Sequence, residues 1–369
     1  MRFEEDNSET IRLGKLVAEY LYGYEEVSML ILPNICSLWT NYTQRPNSNL
    51  LVEDMGGGKS TFFEIIYESN KRYITRLPSK IYASDLVKSF KKSCFKNKLL
   101  MHDDLIPAFS GLSNKSREQL TGFFTELLSS GKYIQLGNKV TGNCNALFGI
   151  ARKFFYERQT KIDLLESNES EESLGHSNPG SHPIEVKTEG NKEKPNLKEK
   201  LFTETFTDRV IQIKPISKDI TAKLKVLEFM CDRKTTIPKI VLPLGVKKNI
   251  IFNPKNLDMK RFNNLCLDFD RLHIISVQRA FNYCINFMKG NALLNNRTEI
   301  NNNDLELLQD LLPLHFAQET NYAKTYKVLS RFPDLTDDQL IQKSNLSKGT
   351  FYKYKNIIGG KERFMPTNQ

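Results

Sequence analysis

Apolar residues recur at intervals of three and four over residues 8–45, with Leu13, Leu16, Val17, Tyr20 and Leu21 on one face, and the pattern breaks at Gly23 before a second apolar segment. That spacing predicts helices packed on a neighbouring layer. The turn-forming run Arg45-Pro46-Asn47-Ser48-Asn49 then gives way to Leu50-Leu51-Val52, which reads as a short strand. Residues 98–102 and 145–150 read as further strands, with helical patterns such as 116–129 between them, and 210–213 is strand-like. Strands alternating with helices predict a parallel sheet covered on both faces. Residues 218–318 read as mostly helical, with the periodic stretch 277–287 and a helix start at Asn303-Asp304-Leu305, so a second, all-helical module is expected there. Three short helical patterns close the chain, at 322–331, 336–344 and 348–358, separated by Pro333 and by Asn345-Leu346-Ser347.

The 369 residues suffice for two or three domains of about 150 residues each. Over 164–200 the apolar pattern dissolves; Ser, Glu, Asn, Lys, Gly and Pro dominate and no Phe, Tyr or Trp occurs. Such a stretch buries too little apolar surface to order itself and is expected to be a flexible surface insertion. The resulting plan is a domain over 1–217 carrying that insertion, a second over 218–318 and a third over 319–369. No apolar run reaches the roughly 20 residues that cross a bilayer. The acidic start Glu4-Glu5-Asp6 lacks the order of a secretory leader. A cytoplasmic protein with no membrane partner is therefore expected. Six cysteines stand without a C-x-x-C pair and five histidines do not cluster, which argues against a zinc site or a disulfide framework and for buried thiols. The net charge of +10 favours a polyanionic partner, nucleic acid or nucleotide.

Specific chemistry begins at Glu53-Asp54-Met55-Gly56-Gly57-Gly58-Lys59-Ser60-Thr61, which runs from a strand through glycines into an apolar helix containing Phe62, Phe63, Ile65 and Ile66. Glycines let backbone N–H groups converge on phosphate oxygens, and the following helix directs its positive end at the same anion. Gly56, Gly57, Gly58, Lys59, Ser60 and Thr61 are the candidate nucleotide-binding residues. Lys59 would reach the β- and γ-phosphates and the Ser60 hydroxyl would help hold Mg²⁺. The pattern G-x-x-x-x-G-K-[ST] is broken at its first position, where Glu53 stands. A Gly-Lys-Ser triplet in an ordinary loop is the competing reading. Leu99-Leu100-Met101-His102-Asp103-Asp104 is an apolar strand ending in two carboxylates, at the edge where parallel sheets bind ligands. Asp103 would hold the Mg²⁺ shell and Asp104 would orient the attacking water.

In this order the parts resemble an AAA+ ATPase, a P-loop family with an α/β core, a helical lid and usually a ring assembly. The resemblance covers most of residues 10–318. Gly23-Tyr24-Glu25-Glu26-Val27 is similar to the segment that precedes the core and often lies near the adenine. The resemblance implies ATP and Mg²⁺ as cofactors and a ring-forming homo-oligomer. It also implies an arginine finger at Arg209 reaching a neighbouring subunit's γ-phosphate, and a nucleotide-contacting sensor at Arg279, which opens a lid helix. Two departures point to slow hydrolysis: the family usually has glutamate where Asp104 stands, and Ala151, followed by Arg152, occupies the place of a polar sensor.

Residues 132–143 alternate around Gly137-Asn138 and read as a β-hairpin. Its position resembles the hairpin of the minichromosome-maintenance branch, which implies that Lys139 meets DNA phosphates. Residues 336–355 resemble a helix-turn-helix, with Thr336 and Ser347 as caps and Leu340, Ile341, Leu346 and Phe351 as a small core. Lys348, Thr350, Tyr352, Lys353 and Lys355 would face phosphates and base edges. The expected architecture is α/β: a P-loop AAA+ core with a parallel sheet, a helical lid domain and a C-terminal (winged) helix-turn-helix domain. The expected function is ATP binding and hydrolysis in a protein acting on DNA, as a replication helicase or helicase loader. The alternatives are a nucleotide-controlled DNA-binding switch or transcription regulator with little turnover, and a protein-remodelling chaperone.

Overall fold

The computed structural model describes residues 6–53, 57–91, 95–109, 112–135, 138–151, 206, 209–214, 236–272, 274–315 and 320–360. Its strands are β1 (Asn49–Glu53), β2 (Ile74–Arg76), β3 (Lys98–His102), β4 (Lys132–Gln135), β5 (Asn138–Thr141), β6 (Cys144–Ala151) and β7 (Ile211–Ile213). Five of them form one parallel sheet in the order β2-β3-β6-β1-β7, and β4 and β5 pair antiparallel on their own. Every residue of β1 and β6 is buried, which explains why they read as continuous apolar runs: a strand covered on both faces has no solvent side to alternate with.

Successive side chains divide between two cores. Leu51, Leu99, Met101 and Leu147 face one layer, while Leu50, Val52, Leu100, Phe148 and Ile150 face the other. The first layer contains α1 (Ser8–Ala18), α2 (Glu25–Cys36), α3 (Lys59–Asn70), α7 (Met259–Arg271), α8 (Val277–Leu294) and α9 (Asn302–Leu311). The second contains α4 (Ala83–Lys91), α5 (Leu105–Phe109), α6 (Asn114–Ser130) and the inner side of the β4–β5 hairpin. The chain ends in α10 (Asn321–Arg331), α11 (Asp337–Ser344) and α12 (Lys348–Ile358). Leu340, Phe351 and Ile358 of these helices belong to the first apolar cluster, and Arg331 pairs with Glu26 of α2 at 2.8 Å. Described residues of 1–217, 218–318 and 319–369 all contribute to that first cluster.

The helix boundaries follow local chemistry. Thr336 caps α11 in a reciprocal box with Gln339, Ser347 caps α12, and Asn301 with Asp304 does the same for α9. Two sequence expectations are corrected. Residues 237–253 contain no helix and only the isolated bridges Thr40↔Lys248 and Ile251↔Glu299, so the 218–318 module is not all helical; Pro238, Pro243 and the β-branched Ile237, Ile240, Val241 and Val246 account for this. β2 was not anticipated. The hairpin register pairs Gln135 with Asn138, so Asn138 belongs to β5 rather than to the expected Gly137-Asn138 turn, of which Gly137 lies outside the described residues. Gly56, Arg152, the insertion 164–200 and the wing, which would follow α12 in 361–369, lie outside the described residues. Cys36, Cys144, Cys266 and Cys284 are buried free thiols. Among the described residues no helix is long and apolar enough to cross a membrane.

Candidate nucleotide site and arginine pocket

All five sheet strands run the same way, so the loop after β1 and the acids after β3 open on one edge, separated by β6 alone. The geometry there is close. Gly58 adopts a left-handed backbone, φ +98°, and starts the 12-residue α3. Lys59, the first residue of that helix, is buried, while Ser60 is exposed and Thr61 half-buried. The Lys59 side chain crosses over Gly149 of β6. A Cβ at 149 would lie 2.7 and 2.8 Å from its Cδ and Cε, and inside contact distance of the Asp103 carbonyl oxygen. Gly149 is what lets the lysine stem and the acidic turn meet.

Glu53 also becomes intelligible. Its side chain folds beneath the loop against Gly57, is almost fully buried, and accepts a long hydrogen bond from the Tyr24 hydroxyl at 3.5 Å. Tyr24 packs on Phe62 with ring centroids 5.1 Å apart, and burial, reinforced by Glu53, pushes its phenol well above the ordinary range. Leu21 packs against Gly58. The segment before α2 therefore supports the glycine loop from below.

Asp103 is half-buried, and burial raises its carboxyl above the usual range; Arg76, His102 and Lys59 pull the other way. Arg76 ends β2, pairs with Glu64 of α3 and lies over the Tyr67 ring at 4.2 Å. His102 is held below its ordinary pKa by burial. Its Nδ1 accepts from the Asp104 N–H at 3.2 Å, which leaves Nε2–H to donate to the Pro78 carbonyl at 3.1 Å. Asp104 accepts at Oδ1 from the Ile106 N–H at 3.1 Å and so caps α5. Ala151 is buried opposite Glu53 in the β1–β6 register.

Arg209 and Arg279 lie elsewhere. Arg209 precedes β7 and Arg279 stands in the first turn of α8, and both line a pocket of about 110 Å³ with Arg45 and the residues leading into β1. This is the amino edge of the sheet, opposite Lys59 and Asp103. The structure does not bring Arg279 to Lys59 and Asp103: α8 packs on α2 with its first turns beside the loop before β1, not beside the loop after it.

The candidate DNA residues divide. Lys139 is exposed on the outer face of the hairpin, together with Lys132 and Ile134, while Tyr133 and Val140 face inward. Lys348 and Lys353 are exposed, Thr350 and Tyr352 half-exposed. Lys355 is instead engaged: its ammonium meets both carboxylate oxygens of Asp337 at 2.8 and 2.6 Å, which corrects its assignment to phosphate contact. Sequence reasoning missed Gly149, Arg76 and Arg45. A lone glycine inside an apolar strand marks close backbone approach and was the available sign for Gly149. Arg45 was hidden in a turn-forming run. Compared with known proteins, the chain matches no protein-family model and no curated protein.

Proposed function

We propose that this chain binds ATP with Mg²⁺ at the carboxyl edge between β1 and β3 and acts, as an AAA+-type homo-oligomer, on DNA. The observation that carries the reading is the meeting of the Lys59 stem and the Asp103 turn over Gly149, at the N-terminus of a helix preceded by glycines. Lys59 holds the β- and γ-phosphate oxygens, and Ser60 and Asp103 supply the one or two protein oxygens that nucleotide-bound Mg²⁺ requires. The metal supplies charge neutralisation on the phosphates. Asp104 orients the attacking water with Oδ2, since Oδ1 is taken by the helix cap. Arg209, on the opposite edge, serves a second copy by reaching its γ-phosphate. The exposed face of the hairpin, with Lys132 and Lys139, and the α10–α12 module, read as a helix-turn-helix with α12 as its reading helix, contact DNA.

A nucleotide switch with little turnover is the second reading, and it is favoured by Asp104's commitment to α5 and by the buried, apolar Ala151. One experiment decides between them: phosphate release and assembly size measured together, with and without DNA. The translocating reading expects DNA to raise the rate, Lys139→Ala to abolish the rise with ATP binding intact, and Lys59→Ala to abolish nucleotide binding. Tight ATP binding with negligible release, relieved by Asp104→Glu, would establish the switch. A chain that neither binds ATP nor shifts DNA sinks both.

A further inference from the structure

The segments that lead into β1, β2, β3 and β6 at the amino edge of the sheet, 39–48, 70–73, 95–98 and 129–144, contain no Asp or Glu, and neither does the helix-free run 239–250. Roughly one residue in nine of the chain is acidic, and the segment before β7 carries Asp208. The five acid-free stretches together hold ten Lys and Arg. We propose that this edge is a binding surface for single-stranded nucleic acid, on which Arg72, Lys247 and Lys248 hold the phosphate backbone of a strand that passes over Arg45 from the β4–β5 hairpin.

The core beneath fixes this surface in place. The Leu242 N–H donates to Asn70 Oδ1 at 3.1 Å, and the Lys248 N–H donates to the Trp39 carbonyl at 2.9 Å. Gly245, left-handed at φ +103°, lies so close to the Tyr73 ring that a Cβ would collide with it, and Tyr73 stands edge-on to the buried Trp39 with centroids 6.0 Å apart. Lys247 and Lys248 follow this turn and are exposed. Their ammonium groups have uncharged partners: Lys247 lies over the Tyr42 ring at 4.7 Å, and Lys248 donates to Asn296 Oδ1 at 3.4 Å. Arg72, also exposed, has the Tyr73 ring 5.9 Å away, while its neighbour Lys71 is taken by Glu68 at 2.9 Å. Lys289 of α8 is only 6 % exposed, and its ammonium donates to the Asn41 carbonyl at 2.7 Å, next to Tyr42. Burial pulls that ammonium below its usual range. A buried cation held by a carbonyl alone is costly, and a polyanion lying over the Asn41–Tyr42 turn offsets the cost.

Arg45 joins this surface to the hairpin. It follows Tyr42 by three residues, its Nη1 donates to Asn143 Oδ1 at 3.1 Å, and its guanidinium lies against Gly131 so closely that a Cβ there would collide with it. Gly131 and Asn143 are the two feet of the hairpin, whose outer face exposes Lys132 and Lys139. Cations set among aromatic rings suit a single strand, in which phosphates meet the ammonium groups while bases and sugars remain free to meet Tyr42, Tyr73 and Val246, the last 72 % exposed. The hairpin end of the path rests on the DNA contact proposed above; the surface around 42, 72 and 247–248 does not.

The test uses the full-length protein without nucleotide and a fluorescein-labelled strand of about thirty thymidines, followed by anisotropy at several salt concentrations. Lys247→Ala/Lys248→Ala is expected to bind the strand about tenfold more weakly and to reduce the slope of log K against log salt by about 1.4, the release of two single-strand phosphate contacts. Lys247→Arg/Lys248→Arg is expected to keep both, with urea midpoints equal to wild type in each variant. A bromodeoxyuridine strand is expected to photo-crosslink to the peptides that carry Tyr42 or Tyr73. A slope that survives the alanine pair overturns the surface, and so do crosslinks confined to other peptides or a chain that binds phosphatidylserine vesicles and no strand. Lys132→Ala/Lys139→Ala tests the hairpin end separately. A lowered slope there supports one continuous path; an unchanged slope, with the 247–248 pair still effective, refutes the hairpin contact and leaves the amino-edge surface standing.

Discussion

Gly149 sets the distance between the two halves of the candidate site. Any side chain there meets the Lys59 stem on one side and backbone on the other, and backbone cannot rotate away as a flexible side chain can. Gly149→Ala is expected to cost about 1–3 kcal/mol of stability through overpacking and to weaken ATP binding by about tenfold or more. Urea unfolding and a nucleotide titration read the two effects. Gly122→Ala is the control: a Cβ at that helical position meets nothing within 4 Å, and a gain of up to about 1 kcal/mol is expected. Unchanged ATP binding in Gly149→Ala would detach the lysine from the acidic turn. The residues whose chemistry is local were legible: Gly57, Gly58, Lys59, Ser60 and the tandem aspartates announce themselves by type and order. Gly149, Arg45 and Arg76 act through partners that are distant in sequence, 90 residues from Lys59 in the case of Gly149, and no local pattern encodes that. Glu53 looked like a defect in the loop because its compensation, the Tyr24 hydroxyl beneath it, lies in another segment.

At the scale of elements, α10, α11 and α12 were read almost to the residue because their ends are written in caps, Thr320, Thr336 and Ser347, each accepting from the first turn of its helix. β2, three residues long, has too few positions to show a period, and the prolines and β-branched residues of 237–253 interrupt the helical pattern expected over 218–318. The same caps orient α12, and its lysines are not equivalent. Lys348 and Lys353 project into solvent, whereas Lys355 is clamped to Asp337 of α11. If α12 lies against DNA, Lys348→Ala and Lys353→Ala are each expected to reduce the slope of log K against log salt by about one, the release of one phosphate contact. Lys355→Ala is expected to leave that slope unchanged and to cost up to about 1 kcal/mol of stability through the lost pair. Anisotropy titrations of a labelled duplex at several salt concentrations, with an unfolding curve for each variant, check both statements. Equal effects from all three lysines would mean that the helix faces DNA through another surface.

The whole molecule is held by more than its apolar core, because a chain of buried polar groups ties α2, α8, the start of β1 and the turn after α9 into one body. The Asn34 amide donates to Asn49 Oδ1 and to the Tyr283 hydroxyl, each at 3.0 Å, and Tyr283 in turn donates to His315 Nε2 at 2.8 Å. His315 Nδ1–H donates to the Leu312 carbonyl at 3.1 Å, and the Phe269 ring stands edge-on to the imidazole, with centroids 5.1 Å apart. Every position around the imidazole is filled in a way that suits its neutral form: a proton on Nε2 would face a hydroxyl that already receives a bond from Asn34. Burial accordingly pulls His315 down to about 4. An unfolded histidine titrates near 6.5, so as pH falls through 6.5 the unfolded chain takes up a proton that the folded chain refuses until about 4. The unfolded state then binds more protons, and stability drops across that window by about 3 kcal/mol from this residue alone. Trp39, the single tryptophan, is buried in the core that this network braces and reports its integrity. Urea midpoints followed by Trp39 fluorescence at pH 7, 6, 5 and 4 should fall more steeply for the wild-type chain than for His315→Gln, which has no proton to gain. Parallel curves would mean that the imidazole is charged or solvated in the folded protein, and that these helices and the sheet are not locked around a neutral histidine.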